Sequence, residues 1–274
     1  MLKNLLVLFN ADNVAVGPYA LSLAALHRAH LVVASPVVDL ALAPYMIAEM
    51  PSATWESLQQ DTERTVRRRL DDFVSQAKAM GVEATAHAIP VSLGMGPEHL
   101  CSRLARHFDL TLIEQANPDV KGLQGEIIEA ILFESGRPML VVPYVHRTPA
   151  AFDRVLVAWD GSAPAARAVN DALPLITGAA EVEIVTVVDG GKEPEDESGL
   201  DVAQHLARHG VAARRNRLTS AGDVASTLLS HMADSGTDLL VMGGYGHSRL
   251  REMMLGGATR DILASMTAPV LMAH

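Results

Sequence analysis

The hydrophobic pattern of the chain has two alternating periods. Short segments that are apolar almost throughout, such as "NLLVLFN" (4–10) and "RVLVAWD" (154–160), read as strands buried on both faces. Longer segments between them repeat apolar residues three and four apart and read as helices covering a sheet. The whole pattern occurs twice. "HLVVASPVVD" (30–39) is matched by "VEIVTVVD" (182–189), "GVEATAHAIP" (81–90) by "GVAARRNRLT" (210–219), and "HFDLTLIEQA" (107–116) by "GTDLLVMGGY" (236–245). "EAILFESGRPMLVVPY" (129–144) lies over "RDILASMTAPVLMAH" (260–274), with Ile131 and Leu132 on Ile262 and Leu263 and Pro138 on Pro269. Each half therefore predicts five strands alternating with helices. The fold class is α/β, two tandem doubly wound five-stranded parallel-sheet domains with right-handed crossovers.

The connector "HRTPAAFD" (146–153) separates an amino-terminal domain, 1–147, from a carboxy-terminal domain, 152–274. The first half has the longest helix, 54–80, with Leu58, Val66, Leu70, Phe73, Val74 and Ala77 as its buried stripe and its charges solvated. The segment "DGGKEPEDESG" (189–199) reads as a surface loop. The closing strands "RPMLVVPY" and "APVLMAH" are apolar on both faces, and an open edge of that kind is a hazard. Pairing the two edges across a pseudo-twofold axis closes both, as duplication of an ancestral homodimer would.

Composition narrows the function. The formal net charge of −10, with no compensating basic tract, argues against nucleic acid or an anionic membrane as partner. The single cysteine, Cys101, rules out an internal disulfide framework and fits a reducing cytosol. No apolar run reaches the roughly 20 residues that span a bilayer, and the start of the chain has no signal-peptide pattern. The expectation is a soluble cytoplasmic protein.

Candidate chemistry concentrates in "VMGGYGHSRLREMMLGGATRDIL" (241–263). Gly243 follows a strand directly, at the carboxyl end where doubly wound sheets take ligands, and its backbone can approach an anion. Further on, "GGAT" (256–259) opens the last helix, whose first amides suit a phosphate. His247, Arg249, Arg251 and Arg260 offer counter-charge. The spacing is neither the dinucleotide G-x-G-x-x-G nor a Walker loop with its lysine. A tight turn with close helix–strand packing is the other account of these glycines. In "VLVAWDGSAPAARAVNDAL" (155–173), Asp160 and Ser162 follow the first strand, either as a helix cap or as ligand contacts. First and fourth strands are neighbours in such sheets, so both turns converge on one crevice.

On Gly243-x2-Gly246-x9-Gly256 and Asp160-Gly161-Ser162, the half 152–274 resembles the universal stress protein family. The first half is similar in strand order and ending, so the whole resembles a tandem member. The resemblance implies an adenine nucleotide alpha hydrolase-like fold binding ATP, with Mg²⁺, or ADP or AMP. It places Asp160 on the adenosine, the Val187 backbone on adenine, and Gly243, Gly246 and Gly256 on the phosphates. Ser162, Met242, His247, Gly257, Ala258 and Thr259 complete the implied cofactor-binding set.

The pattern has two departures. The family's Ser or Thr after the last glycine is Gly257, with Thr259 two residues on. In the first half, "IEQANPDVKGLQGE" (113–126) puts Glu114 and Asp119 where phosphate would sit, and "LFNADN" lacks D-x-S. That half reads as structural or as a surface for an unknown protein partner, with at most one nucleotide per chain. No base and nucleophile are poised together, which favours a regulatory binding role in the stress response, with slow ATP hydrolysis at most. A nucleotide-free scaffold of the same fold is the alternative, and further pairing of two chains stays open. An adenylating enzyme would need an S-G-G-x-D-S loop, which "WDGSAPA" is not. His205 and His209 have zinc spacing but no third ligand, Cys101 reads as a buried thiol, and Ser162 is in no G-x-S-x-G elbow.

Overall fold

The computed structural model describes residues 1–9, 13–38, 52–91, 96–120, 122–189, 201–220, 223–244 and 257–274. The apolar runs form strands β1 Asn4–Leu8, β2 His30–Val38, β3 Ala84–Val91, β4 Leu110–Glu114 and β5 Met139–Val142. The second set is β6 Arg154–Ala158, β7 Glu181–Asp189, β8 Ala213–Ser220, β9 Leu239–Gly243 and β10 Val270–Ala273. Helices α1 Val16–His27, α2 Ser52–Ala79, α3 Pro97–Ala105 and α4 Gln124–Glu134 accompany the first set. Helices α5 Ala163–Ile176, α6 Val202–Arg208, α7 Val224–Ser235 and α8 Gly257–Ser265 accompany the second.

The chain forms two compact units, 1–114 with 122–137, and 115–121 with 138–274. In the first, the strand order is β3-β2-β1-β4, all parallel. In the second it is β5-β10-β9-β6-β7-β8, parallel except for β5. β5 runs antiparallel to β10, with Val141 opposite Val270, so the edges expected to close on one another do so. That pairing is why β5 groups with the second unit although its sequence closes the first repeat. Gln115 fastens the same corner: its Nε2 donates to the carbonyls of Leu263 and Ala264 at 2.8 and 3.2 Å, near the end of α8.

Burial follows the sequence pattern. Val66, Leu70, Phe73 and Ala77 of α2 are buried and Val74 is half-buried, whereas the Leu58 side chain lies outside the described set. In α5, Ala165, Ala168, Val169 and Ala172 are buried at helical spacing, joined by Leu175 and Ile176. Small residues at those positions let the helix lie close to the sheet. In both units the first strand sits between its second and fourth, so chain direction across the sheet reverses there. This is the place where open α/β sheets take ligands.

Candidate functional site

In the second unit, β6 and β9 lie side by side with Ala158 opposite Met242. Their carboxyl ends carry the turn 159–162 and Gly243–Gly244, so both predicted turns share one end of the sheet. Gly161, at φ +76°, makes the turn. The exposed Asp160 carboxylate accepts the Ser162 amide at 2.9 Å, and Ser162 Oγ accepts the Ala165 amide at 3.2 Å as the N-cap of α5. Gly243 is a packing requirement. A Cβ there would lie 2.4 Å from the Ala165 nitrogen and 2.7 Å from the Pro164 carbonyl carbon. Its absence lets the first turn of α5 rest on β9. Gly244 is held from the neighbouring strand: its amide donates to the Ala273 carbonyl, and its own carbonyl meets His274 Nδ1, both at 2.9 Å.

Val187 is half-buried in β7, two residues beyond Val185, whose carbonyl accepts the Trp159 amide at 2.8 Å. Met242 is buried in β9. Gly257 is exposed at the start of α8, and among the described residues a Cβ there would meet only Asp261 Oδ2, at 3.7 Å. Ala258 is half-buried and Thr259 buried, so Thr259 faces inward, about 200° around the helix from Gly257. Gly246, His247 and Gly256, with Arg249 and Arg251, lie outside the described residues.

The first unit solves the same corner differently. Glu114 ends β4 as Gly243 ends β9, and it is buried. Its Oε2 accepts the amides of Val14, Ala15 and Val16 at 3.0, 2.7 and 2.9 Å. These open α1, whose N-cap, Ala15, offers no side-chain oxygen. The carboxylate thus sits where a helix N-terminus attracts an anion, as a phosphate stand-in carried by the chain itself. Gln124 Nε2 binds the Glu114 carbonyl at 2.7 Å and steadies the strand end. Sequence reasoning saw only that Glu114 would repel phosphate. The missing signal was a paired exchange, a helix start with no capping side chain opposite an acid in the glycine's place.

Other polar clusters have local partners. Glu183, buried in β7, receives His231 Nε2 and Asn216 Nδ2, each at 2.8 Å. Burial alone would raise its pKa, but the hydrogen bonds from His231 and Asn216, with the charges of His231 and Arg214, bring it below the ordinary carboxylate range. Cys101 is buried, and burial foremost, then the charge of Glu98, pushes its thiol up to about 12. The His205 and His209 rings are tilted 56° to one another with centres 4.7 Å apart, and His205 Nε2 lies 3.2 Å from Asn170 Oδ1. Among the described residues no group of three His, Cys, Asp or Glu could hold a metal, and no helix is long and apolar enough to cross a membrane.

Strand order and turn placement together define a doubly wound α/β architecture. Comparison with known proteins is specific. Residues 151–274 match the universal stress protein family. A universal stress protein of Synechocystis sp. is 28% identical over 173 residues, 60% of this chain and 57% of that protein. The chain therefore spans little more than half of that relative's length. A second, from Bacillus subtilis, is 29% identical over 149 residues, 45% of this chain and 99% of its own. The crystal structure of a universal stress protein from Archaeoglobus fulgidus shares the fold across 98% of this chain and 95% of its own, at TM-score 0.73 and 18% identity. The similarity to the universal stress protein family thus centres on residues 151–274, and the fold likeness extends over nearly the whole chain.

Proposed function

We propose that the carboxy-terminal unit binds ATP, or ADP or AMP, and that the chain acts as a nucleotide-dependent regulator in the stress response. The observation that carries this reading is the meeting of two sequence-distant turns at one end of the sheet, fixed by Ala158 opposite Met242. In it, Asp160 meets the ribose and the Val187 backbone meets adenine. The segment from Gly243 through Gly246, His247, Gly256 and Gly257 surrounds the phosphates, which receive the first amides of α8. The fit is supported at Gly257, where among the described residues only Asp261 comes within 4 Å of a side-chain position. Mg²⁺ accompanies the phosphates as it does for nucleotides in general. The described residues of the site supply positioning and amide dipoles, and the role proposed is binding, with hydrolysis slow at most.

A second reading, a nucleotide-free interaction module, is favoured by a different observation. Asp160, Ser162 and Gly243 each have a complete local structural role, as turn, cap and packing site. Isothermal titration calorimetry of the full chain with ATP and Mg²⁺ separates the two. Saturable heat at one site, lost in Asp160→Ala, supports the regulator; no heat and no thermal shift support the scaffold.

A further inference from the structure

The ligand corner of the first unit is not simply vacated. Between the carboxyl ends of β1 and β4 and helices α3 and α4 lies a cavity of about 200 Å³, lined among others by Leu8, Phe9, Ile113, Cys101, Ile127 and Gln124. It occupies the same reversal point of the sheet as the nucleotide corner of the second unit. Its chemistry is the opposite. Of the described lining residues none is charged, and Gln124 alone carries an amide, which is already bound to the Glu114 carbonyl. The Cys101 thiol is buried and protonated at neutral pH, so that wall is apolar too. The Glu114 carboxylate, next to Ile113, already holds the α1 amides, so among the described residues that helix start is not open to an anion.

We propose that the amino-terminal unit binds an uncharged apolar small molecule, one aromatic ring or a fused pair in size, in this cavity. Size and lining decide the class. The pocket is half open to solvent, and a mostly apolar lining of Leu, Ile, Phe and Pro favours an apolar ligand of this size with one side left exposed. A charged ligand would be desolvated without compensation. Glu114 completes the conversion by closing the helix terminus to anions while the surrounding side chains supply an apolar lining. The proposal is independent of nucleotide binding by the second unit.

The test is methyl NMR of the full chain, labelled at Ile and Leu and titrated with indole, then with its charged counterpart indole-3-acetate. The expected result is saturable shifts confined to Leu8, Ile113, Leu123 and Ile127 at indole concentrations of about a millimolar or below, with the acetate about tenfold weaker or worse. In Cys101→Phe, which fills the cavity, those shifts disappear while the second-unit methyls stay in place. Should that variant fail to fold, the titration of the unsubstituted protein still decides. Absence of saturable shifts, shifts centred in the second unit, or equal binding of indole and indole-3-acetate overturns the proposal.

Discussion

Replacing Gly257 by serine gives the most direct reading of the phosphate end of the proposed nucleotide site. The position is exposed, its backbone is outside the left-handed region, and among the described residues the nearest atom to a new Cβ is Asp261 Oδ2 at 3.7 Å. None of those residues obstructs a serine. A hydroxyl donating to a charged phosphate contributes about 1.5–3 kcal/mol, or roughly 10- to 150-fold in Kd. Asp261 sits four residues on and competes for the same proton, which places the expected gain near the lower end, about tenfold. Gly257→Ala supplies the control, since either side chain stiffens the first turn by about 0.5–1 kcal/mol but only serine can donate. The assay is calorimetric titration of ATP with Mg²⁺ into wild type and both variants. Equal ATP affinity for the Ser and Ala variants refutes the reasoning, because the start of α8 would then not face the phosphates.

The remaining predictions concern packing, charge and assembly. Gly243→Ala drives a methyl into the backbone of Pro164 and Ala165 and should lower stability by about 1–3 kcal/mol or more, read as a reduced urea midpoint. Glu114→Ala strands the buried amides of α1 and should cost about 1–3 kcal/mol or more, with phosphate raising the Tm of the variant more than that of wild type. Glu183 has a depressed folded pKa, so its contribution is present above the ordinary glutamate value and lost as pH falls through the depressed one. His231→Leu should therefore destabilise by about 1–3 kcal/mol at pH 7, and the gap in urea unfolding should shrink in acid. A fragment 151–274 uncovers the edge of β10 that β5 protects, and light scattering should show it self-associating while the full chain does not pair through that edge.

Most of the scaffold was legible because a sheet covered on both faces demands unbroken apolar strands, and a helix demands a periodic stripe. Val66, Leu70, Phe73 and Ala77 were readable on that ground, as was the meeting of β5 with β10, which follows from two strands with no polar face. The site was legible in part. Spacing located Asp160 and Gly243, but it could not divide structure from ligand chemistry. Only the 2.4 Å approach of the Ala165 nitrogen shows that Gly243 is needed for packing whatever it binds. Thr259 stands two residues after Gly257 in sequence, and only the helix shows that the two point to different sides, one buried and one exposed. Glu114 was seen as a charge and missed as a cap, because its three amide partners lie about a hundred residues away in the chain.

A counter-ion built into the polypeptide does not obey mass action. A diffusing phosphate fills its place according to its abundance and yields to competing salt, whereas Glu114 travels with the amides it neutralises, at an effective concentration no metabolite pool can match. The amides that open the first helix thus keep their acceptor at any salt or metabolite level, whereas α5 of the second unit is capped by the neutral hydroxyl of Ser162.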